Sequence, residues 1–313
     1  MIKKRSDKEI AENTELARLV IKHLFGKKPH KLNYKPAGQT NFVFEAQVTG
    51  GEYIVRISRS AGKIKDFTKE QWAIARVREK GVPVAEILEV GNDVIRLPYM
   101  VQKKLDGQEA LYHPNKKKVL HQMGEYTSII NTIATTDYGK VFDWSENRLS
   151  KNSSWEDFLD NELELNKSIE ILVRNRMMTK ENAKKLKHQL ESIEDLNLQP
   201  VLNHGDMRRK NVIVNDKAEI VAIIDWEESC SNIAPFWELS IALHDLSVDD
   251  KQYFLEGYGI APRDYAKAVE TIKALNVVNY APVIEELAKK KDKHNLDFYK
   301  LRLSGHFDLY SLY

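Results

Sequence analysis

The sequence predicts an α+β protein with a β-rich N-terminal lobe and a larger, mainly helical C-terminal lobe. Segments that alternate apolar and polar residues are concentrated before residue 105, and helical periodicity dominates after residue 108. The length of 313 residues suits about two domains. Because no Pro/Gly/Ser-rich linker separates the two parts, we expect two lobes of one unit, residues 1–104 and 105–313.

The N-terminal lobe contains alternating helix and strand patterns. Its predicted segments are a helix over residues 7–25, strands over 42–48 and 53–58, a helix over 66–80, and strands over 85–90 and 94–105. Gly50 and Gly51 lie between two strand patterns and indicate a hairpin turn. Gly81 and Pro83 are typical of a helix end, so the second helix should stop there.

The C-terminal lobe is helical in pattern except for one compact β-like segment, residues 201–226. Two apolar runs, residues 212–214 and 220–224, flank a polar turn and predict a hairpin. In an antiparallel pair the partner numbers would sum to about 435, which places Asn211 beside Asp225 at the open end.

This hairpin concentrates the residues that carry chemistry. Asp206 lies in the loop that enters its first strand, two residues after His204. The oxygens of Asn211 and Asp225 suit Mg²⁺, and Asp206 could accept a proton from a hydroxyl group. A single Asp or Asn often only caps a strand or fills a turn. The combination of all four residues at these spacings favours a catalytic role.

The composition of the chain bears on its partners and on its cellular compartment. The 48 Lys and Arg against 46 Asp and Glu give a net charge of +2, so we expect no nucleic-acid partner. The longest apolar run is far too short to span a bilayer, and the charged start has no apolar segment behind it. We therefore expect no membrane association. The single cysteine excludes an internal disulfide and a Cys-based zinc site, which favours a reducing cytoplasm.

The His204-Gly205-Asp206 motif, followed by Asn211 and by Asp225 within Ile-Asp-Trp, resembles the catalytic loop and metal-binding motif of the aminoglycoside phosphotransferase and choline kinase-like family. These enzymes are small-molecule relatives of protein kinases, and the resemblance covers nearly the whole chain. It implies a two-lobed protein-kinase-like fold. It also implies that Asp206 is the catalytic base and that Asn211 and Asp225 hold Mg²⁺.

The resemblance further implies a nucleotide site in the N-terminal lobe. The residues implied are Gly38, Gln39, Thr40 and Asn41 in the phosphate loop, Arg56 with its partner Glu70, and Gln102, Lys103 and Lys104 in the hinge that binds adenine. Arg replaces the lysine of protein kinases, as in hygromycin and macrolide phosphotransferases, and it can hold phosphate bidentately. The alternatives are an ordinary turn for the phosphate loop, a solvated charge on a strand for Arg56, and a plain connecting strand for the hinge. Neither a P-loop motif nor G-x-G-x-x-G occurs.

Two features bear on the acceptor. Arg208 stands two residues after Asp206, where protein kinases carry a lysine that touches the transferred phosphoryl group; a solvated loop charge is the alternative. Glu227, Glu228 and Glu238 lie beside aromatic residues. Such an acidic rim would suit a cationic acceptor, although Glu238 could instead hold the catalytic loop.

The sequence thus predicts a cytoplasmic small-molecule kinase, a monomer or weak dimer, with ATP (GTP as the alternative donor) and Mg²⁺ as cofactors. Its acceptor would be a hydroxyl group of a small molecule, with aminoglycoside-like antibiotics as the leading class and antibiotic resistance as the role. A housekeeping kinase for an amino alcohol, sugar or amino acid is the first alternative. A nucleotide-binding pseudokinase that acts as a binding module is the second, disfavoured because base, metal ligands and phosphate-binding cation are all present.

Overall fold

A computed structural model describes residues 5–36, 41–143, 146–193, 198–244 and 246–308, with side chains as far as residue 304. The chain divides into two compact units. Residues 1–119 and 209–227 form the first unit, and residues 120–208 and 228–313 form the second. The hairpin segment therefore makes its contacts with the N-terminal part of the chain. The functional division after residue 104 stays a prediction.

An antiparallel five-stranded sheet is the centre of the first unit. In spatial order its strands are β1 Lys31–Lys35, β2 Phe42–Val48, β3 Gly51–Ile57, β5 Tyr99–Lys103 and β4 Ile87–Gly91. The strands predicted over 42–48, 53–58 and 85–90 are confirmed as β2, β3 and β4, whereas β5 is shorter than the predicted 94–105 because residues 94–97 form bends. β1 was not predicted, because its sequence Lys-Leu-Asn-Tyr-Lys is mostly polar and its residues are only partly covered.

One face of the sheet packs against α1 Asp7–Phe25, which has the bounds predicted from the sequence. The side chain of Ser6 accepts from the Glu9 N–H and the Glu9 carboxylate accepts from the Ser6 N–H, so the helix begins with a capping box. The buried residues of this layer are Ala17, Val20 and Ile21 of the helix and Phe42, Phe44, Ala46, Val48, Val55, Ile57, Tyr99 and Val101 of the sheet. Because side chains alternate along each strand, the intervening residues point to the opposite face.

The opposite face carries Val43, Ile54, Arg56 and Gln102, which all line one cleft. Two further elements of the first unit line the same cleft. They are α2 Lys63–Glu79 and the hairpin formed by β8 Val212–Val214 and β9 Ile220–Ile223, to which β6 Gln108–Glu109 adds a third strand.

The hairpin has the pairing that the sequence predicts. Val212 lies opposite Ile223, and the Ile224 N–H donates to the Asn211 carbonyl at 2.9 Å. Asp225 follows directly, with φ at +67°. The chain therefore leaves the ladder at Asp225, one residue beyond the last hydrogen-bonded pair.

The second unit is mainly helical. Its helices are α3 Lys116–Ile130 (which begins in the first unit), α4 Trp155–Asn161, α5 Leu165–Arg174, α6 Lys180–Glu191, α7 Phe236–Ala242, α8 Val248–Tyr258, α9 Pro262–Asn279, α10 Ala281–Lys289 and α11 Lys293–Asp308. Two short strands, β7 Val201–Asn203 and β10 Cys230–Asn232, pair antiparallel. Within the ranges described, no helix combines the length and the apolar character needed to cross a membrane.

Candidate active site

Asp206, the predicted base, lies in the loop after β7. Its backbone N–H donates to Nδ1 of the buried His204 at 3.2 Å. Gly205 between them has φ at +76°, and a Cβ there would lie 2.1 Å from the Glu228 carbonyl oxygen. Only glycine fits this position, so local packing explains the Gly of the motif.

Glu238 in α7 fixes this loop from inside the second unit. Its Oε2 accepts from the His204 N–H at 2.5 Å and from the Gly205 N–H at 3.2 Å. Burial raises the pKa of the Glu238 carboxyl to about 7, although these backbone N–H groups lower it. Glu238 thus holds the catalytic loop, one of the two roles that the sequence left open.

We expect Glu238 to make folding stability depend on pH. Its carboxyl has a pKa of about 7 in the fold against an ordinary 4.5, so the stability that its protonated form contributes is complete below about pH 4.5 and is lost as pH rises through 7. The rise corresponds to about 3 kcal/mol. Urea unfolding between pH 4 and 8 should show a loss in the wild type that Glu238→Gln lacks. Identical pH profiles for the two proteins would contradict this.

Arg208 forms an ion pair with Asp206. Its Nε and Nη2 atoms both contact Oδ1 of Asp206. The Asp206 side chain is almost buried, while the Arg208 side chain is 42% exposed. The structure therefore joins the two predicted catalytic residues, and a half-exposed guanidinium there can orient the base or meet a phosphate. Their catalytic roles stay predictions.

A cleft of about 640 Å³ lies within the first unit. Six of the residues predicted to bind nucleotide or metal line it: Asn41, Arg56, Glu70, Gln102, Asn211 and Asp225. Arg56 lies opposite Val43 on one neighbouring strand and opposite Met100 on the other, and Gln102 lies opposite Ile54. Strand alternation therefore places Arg56 and Gln102 on the same face of the sheet. The structure thus brings together, in one cavity, residues separated by up to 184 positions (225 − 41).

Arg56 and Glu70 form the predicted pair. Arg56 Nη1 lies 2.6 Å from Glu70 Oε2, and the guanidinium lies 5.1 Å from the ring centre of Phe67. Burial alone would lower the pKa of Arg56, but Glu70, Asp225 and Glu227 together raise it above its ordinary value. Arg56 is therefore a fixed cation in a cleft with several carboxylates.

Asn211 and Asp225 provide oxygen donors at the hairpin end of the cleft. The loop behind Asp225 is anchored by Trp226, which is fully buried and donates from Nε1 to the Ile223 carbonyl at 3.0 Å. Glu70 Oε1 is buried without a hydrogen-bond partner among the residues described, so the cleft also holds an unsatisfied acceptor. Carboxylate and amide oxygens are the ligands that Mg²⁺ prefers, so the residues present fit this ion.

The remaining predicted nucleotide residues are placed differently. Gly38, Gln39 and Thr40 lie outside the described residues. Lys103 and Lys104 do not line the cleft: their backbone N–H groups donate to the carbonyls of Glu86 and Glu52 at 2.8 and 2.9 Å. These two N–H groups are thus used inside the sheet. Of the predicted hinge residues, Gln102 is the one that lines the cleft.

Sequence reasoning missed several residues of the cleft. Lys210, Trp226 and Glu227 line it but were not assigned to it. A signal was present for each, because Lys210 and Trp226 directly adjoin a predicted metal ligand and Glu227 lies two residues after Asp225. Lys63, the partner of Glu227 at 2.7 Å, was also missed, because nothing in the sequence connects residues 164 positions apart.

The five-stranded sheet, its cleft and the helical C-terminal part correspond to a kinase-like fold. Residues 35–270 match the sequence model of the phosphotransferase enzyme family (APH). The chain therefore belongs to this family, which confirms the predicted resemblance and enzyme class. No curated protein sequence matches the chain.

Solved structures of aminoglycoside phosphotransferases share the fold. The apo form of a thermostable mutant of APH(4)-Ia superposes with a TM-score of 0.66 at 16% identity, over 92% of this chain and 97% of that one. A ternary complex of such a mutant with AMP-PNP and hygromycin B gives 0.63 at 17% identity, over 92% and 97%. The GDP and kanamycin complex of APH(2'')-IIIa gives 0.64 at 14% identity, over 95% and 99%. The predicted kinase-like fold is thereby confirmed.

Proposed function

We propose that the protein transfers the γ-phosphoryl group of ATP, bound with Mg²⁺, to a hydroxyl group of a small molecule. The observation that carries the proposal is the single cleft lined by Arg56, Asn211 and Asp225. Arg56 would bind phosphate oxygens. Asn211 and Asp225 would hold Mg²⁺, which supplies neutralisation of the phosphate charge. GTP is the alternative donor, because the APH(2'')-IIIa structure contains GDP.

Asp206 would orient the acceptor hydroxyl and take its proton. It lies five positions before Asn211 along the chain, so covalent geometry keeps the two Cα atoms within about 18 Å of each other. Arg208, already paired with Asp206, would stabilise the charge on the transferred group.

An aminoglycoside-like antibiotic is the first acceptor class, and antibiotic resistance the corresponding role. Hygromycin B and kanamycin in the similar structures support this choice.

One contact favours a second class of acceptor. Lys140 Nζ lies 2.5 Å from Glu228 Oε2, and the Glu228 backbone packs against Gly205. Because the Glu228 carboxylate next to the catalytic loop is already paired with a cation, it is less available to bind the amines of an acceptor. This favours an acceptor with fewer amines than an aminoglycoside, such as an amino alcohol, a sugar or an amino acid. In either case we place the enzyme in the cytoplasm as a monomer or weak dimer.

An acceptor panel tests the proposal. Purified protein with radiolabelled ATP and Mg²⁺ would be offered hygromycin B, kanamycin, a macrolide, choline and homoserine, with Asp206→Ala as the inactive control. Labelled antibiotic that is absent from the control supports the first class, and labelled choline or homoserine supports the second. Nucleotide binding without transfer to any acceptor and without ATP hydrolysis would instead support a pseudokinase.

A further inference from the structure

A second charged contact of α2 lies at the metal end of the cleft. The first is the Glu70–Arg56 pair. The second is made by Lys63, the residue at which the helix begins: its Nζ lies 2.7 Å from Glu227 Oε2 and 3.0 Å from Asp66 Oδ2. The Lys63 side chain is only 13% exposed and that of Glu227 26%. Burial lowers the pKa of Lys63, but hydrogen bonds to Glu227 and Asp66 raise it overall, so the Lys63 ammonium stays charged.

Glu227 lies two residues after Asp225, in the 3-10 turn Trp226–Glu228. On the other side of Asp225, the Ile224 N–H is bonded to the Asn211 carbonyl. Asp225, in a left-handed backbone conformation, therefore lies between two attachments: the hairpin ladder before it, and the buried Trp226 and the Glu227–Lys63 pair after it. For a residue other than glycine this conformation is costly and persists only when its surroundings hold it.

We propose that the Lys63–Glu227 ion pair is a positioning device that fastens the start of α2 to the loop carrying Asp225, and thereby sets the Mg²⁺ affinity of the cleft. This inference rests on the proposed function, since it takes Asp225 as a metal ligand. The same helix carries Glu70, which holds Arg56. One helix thus orients both the phosphate-binding cation and the metal-binding carboxylate.

A purely electrostatic role of the pair and a positioning role predict opposite effects on Mg²⁺ binding when the Lys63 cation is lost. If only charge mattered, loss of the Lys63 cation would tighten Mg²⁺ binding and loss of the Glu227 anion would weaken it. If the pair positions Asp225, either loss releases the same loop and both weaken binding. Residues that act as a unit are also non-additive, so the double variant should be no worse than either single one.

The test compares Lys63→Met, Glu227→Gln, their double variant and the conservative Lys63→Arg. Binding of a fluorescent ATP analogue is titrated with Mg²⁺. We expect the Mg²⁺ half-saturation concentration to rise about tenfold in the first three variants, the size typical for partners that orient metal ligands. Lys63→Arg, which keeps the cation, should restore most of the affinity.

Lys65→Met and Asp66→Asn serve as matched controls. Lys65 is an exposed lysine of the same helix turn, and Asp66 is the second partner of the Lys63 ammonium. Both controls should stay within about twofold of the wild type. As a second readout, amide hydrogen exchange of residues 223–228 is measured without nucleotide or Mg²⁺. It should be faster in Lys63→Met and Glu227→Gln but not in the controls.

The outcomes are distinguishable. Unchanged half-saturation and unchanged exchange in the pair variants would overturn the inference, as would tighter Mg²⁺ binding in Lys63→Met. If the wild type and the controls themselves show no Mg²⁺-dependent nucleotide binding, the proposed function fails. Faster exchange in the pair variants would then show only that the pair orders the loop, and the inference about Mg²⁺ would fall with the function.

Discussion

Replacement of Asp206 by alanine is expected to lower kcat about a thousandfold while the Kd for ATP changes less than about twofold, because a general base contributes to the chemical step and not to nucleotide binding. Turnover is measured by ADP release in the presence of an accepted hydroxyl compound, and Kd by calorimetry. Asp216→Ala removes an exposed carboxylate from the β8–β9 turn and is the matched control. Near wild-type turnover in Asp206→Ala would refute the assignment.

The ion pair with Arg208 complicates the alanine variant, because it also leaves the guanidinium without this carboxylate. Asp206→Asn keeps the shape and an oxygen that can accept from Arg208, but it removes the negative charge and the basicity. If Asp206 acts as the base, the asparagine variant loses as much activity as the alanine variant. If Asp206 only anchors Arg208, the asparagine variant retains most of its turnover.

The parts of the site that depend on local chain geometry could be predicted from the sequence. The register of the β8–β9 hairpin follows from two apolar runs and a polar turn, and it places Asn211 and Asp225 correctly at one end. The Arg56–Glu70 pair was also predictable, because its strand and helix are consecutive and the resemblance supplied the spacing. In both cases few residues separate the partners.

Contacts that depend on tertiary packing were not predictable. Lys63 and Glu227 are 164 positions apart, and no sequence pattern pairs these two charges among the 94 charged residues of the chain. The backbone hydrogen bonds of Lys103 and Lys104 depend on the exact strand register. A register shift of one residue would turn each side chain to the opposite face of the sheet. The support of His204 and Gly205 by Glu238 depends on how α7 packs, and the sequence left two roles open for this residue.

Loss of Arg56 is expected to be the most destabilising single change in the cleft. Glu70 is 2% exposed, so Arg56→Met would leave a buried carboxylate without its cation, a change that costs about 3–5 kcal/mol. The free energy of unfolding in urea measures this effect. Arg56→Lys keeps the charge but loses the planar fork, and should fall between the wild type and the methionine variant.

A double variant separates stability from nucleotide binding. Replacing both members of a buried ion pair with apolar residues of similar volume is often neutral for folding, so Arg56→Met combined with Glu70→Leu should recover most of the lost stability. It cannot recover the phosphate contact, and the Kd for ATP should remain raised about tenfold or more, the loss of one charge-assisted contact. Wild-type ATP affinity in a stable double variant would mean that Arg56 serves the fold alone and that another cation in the cleft binds the phosphates.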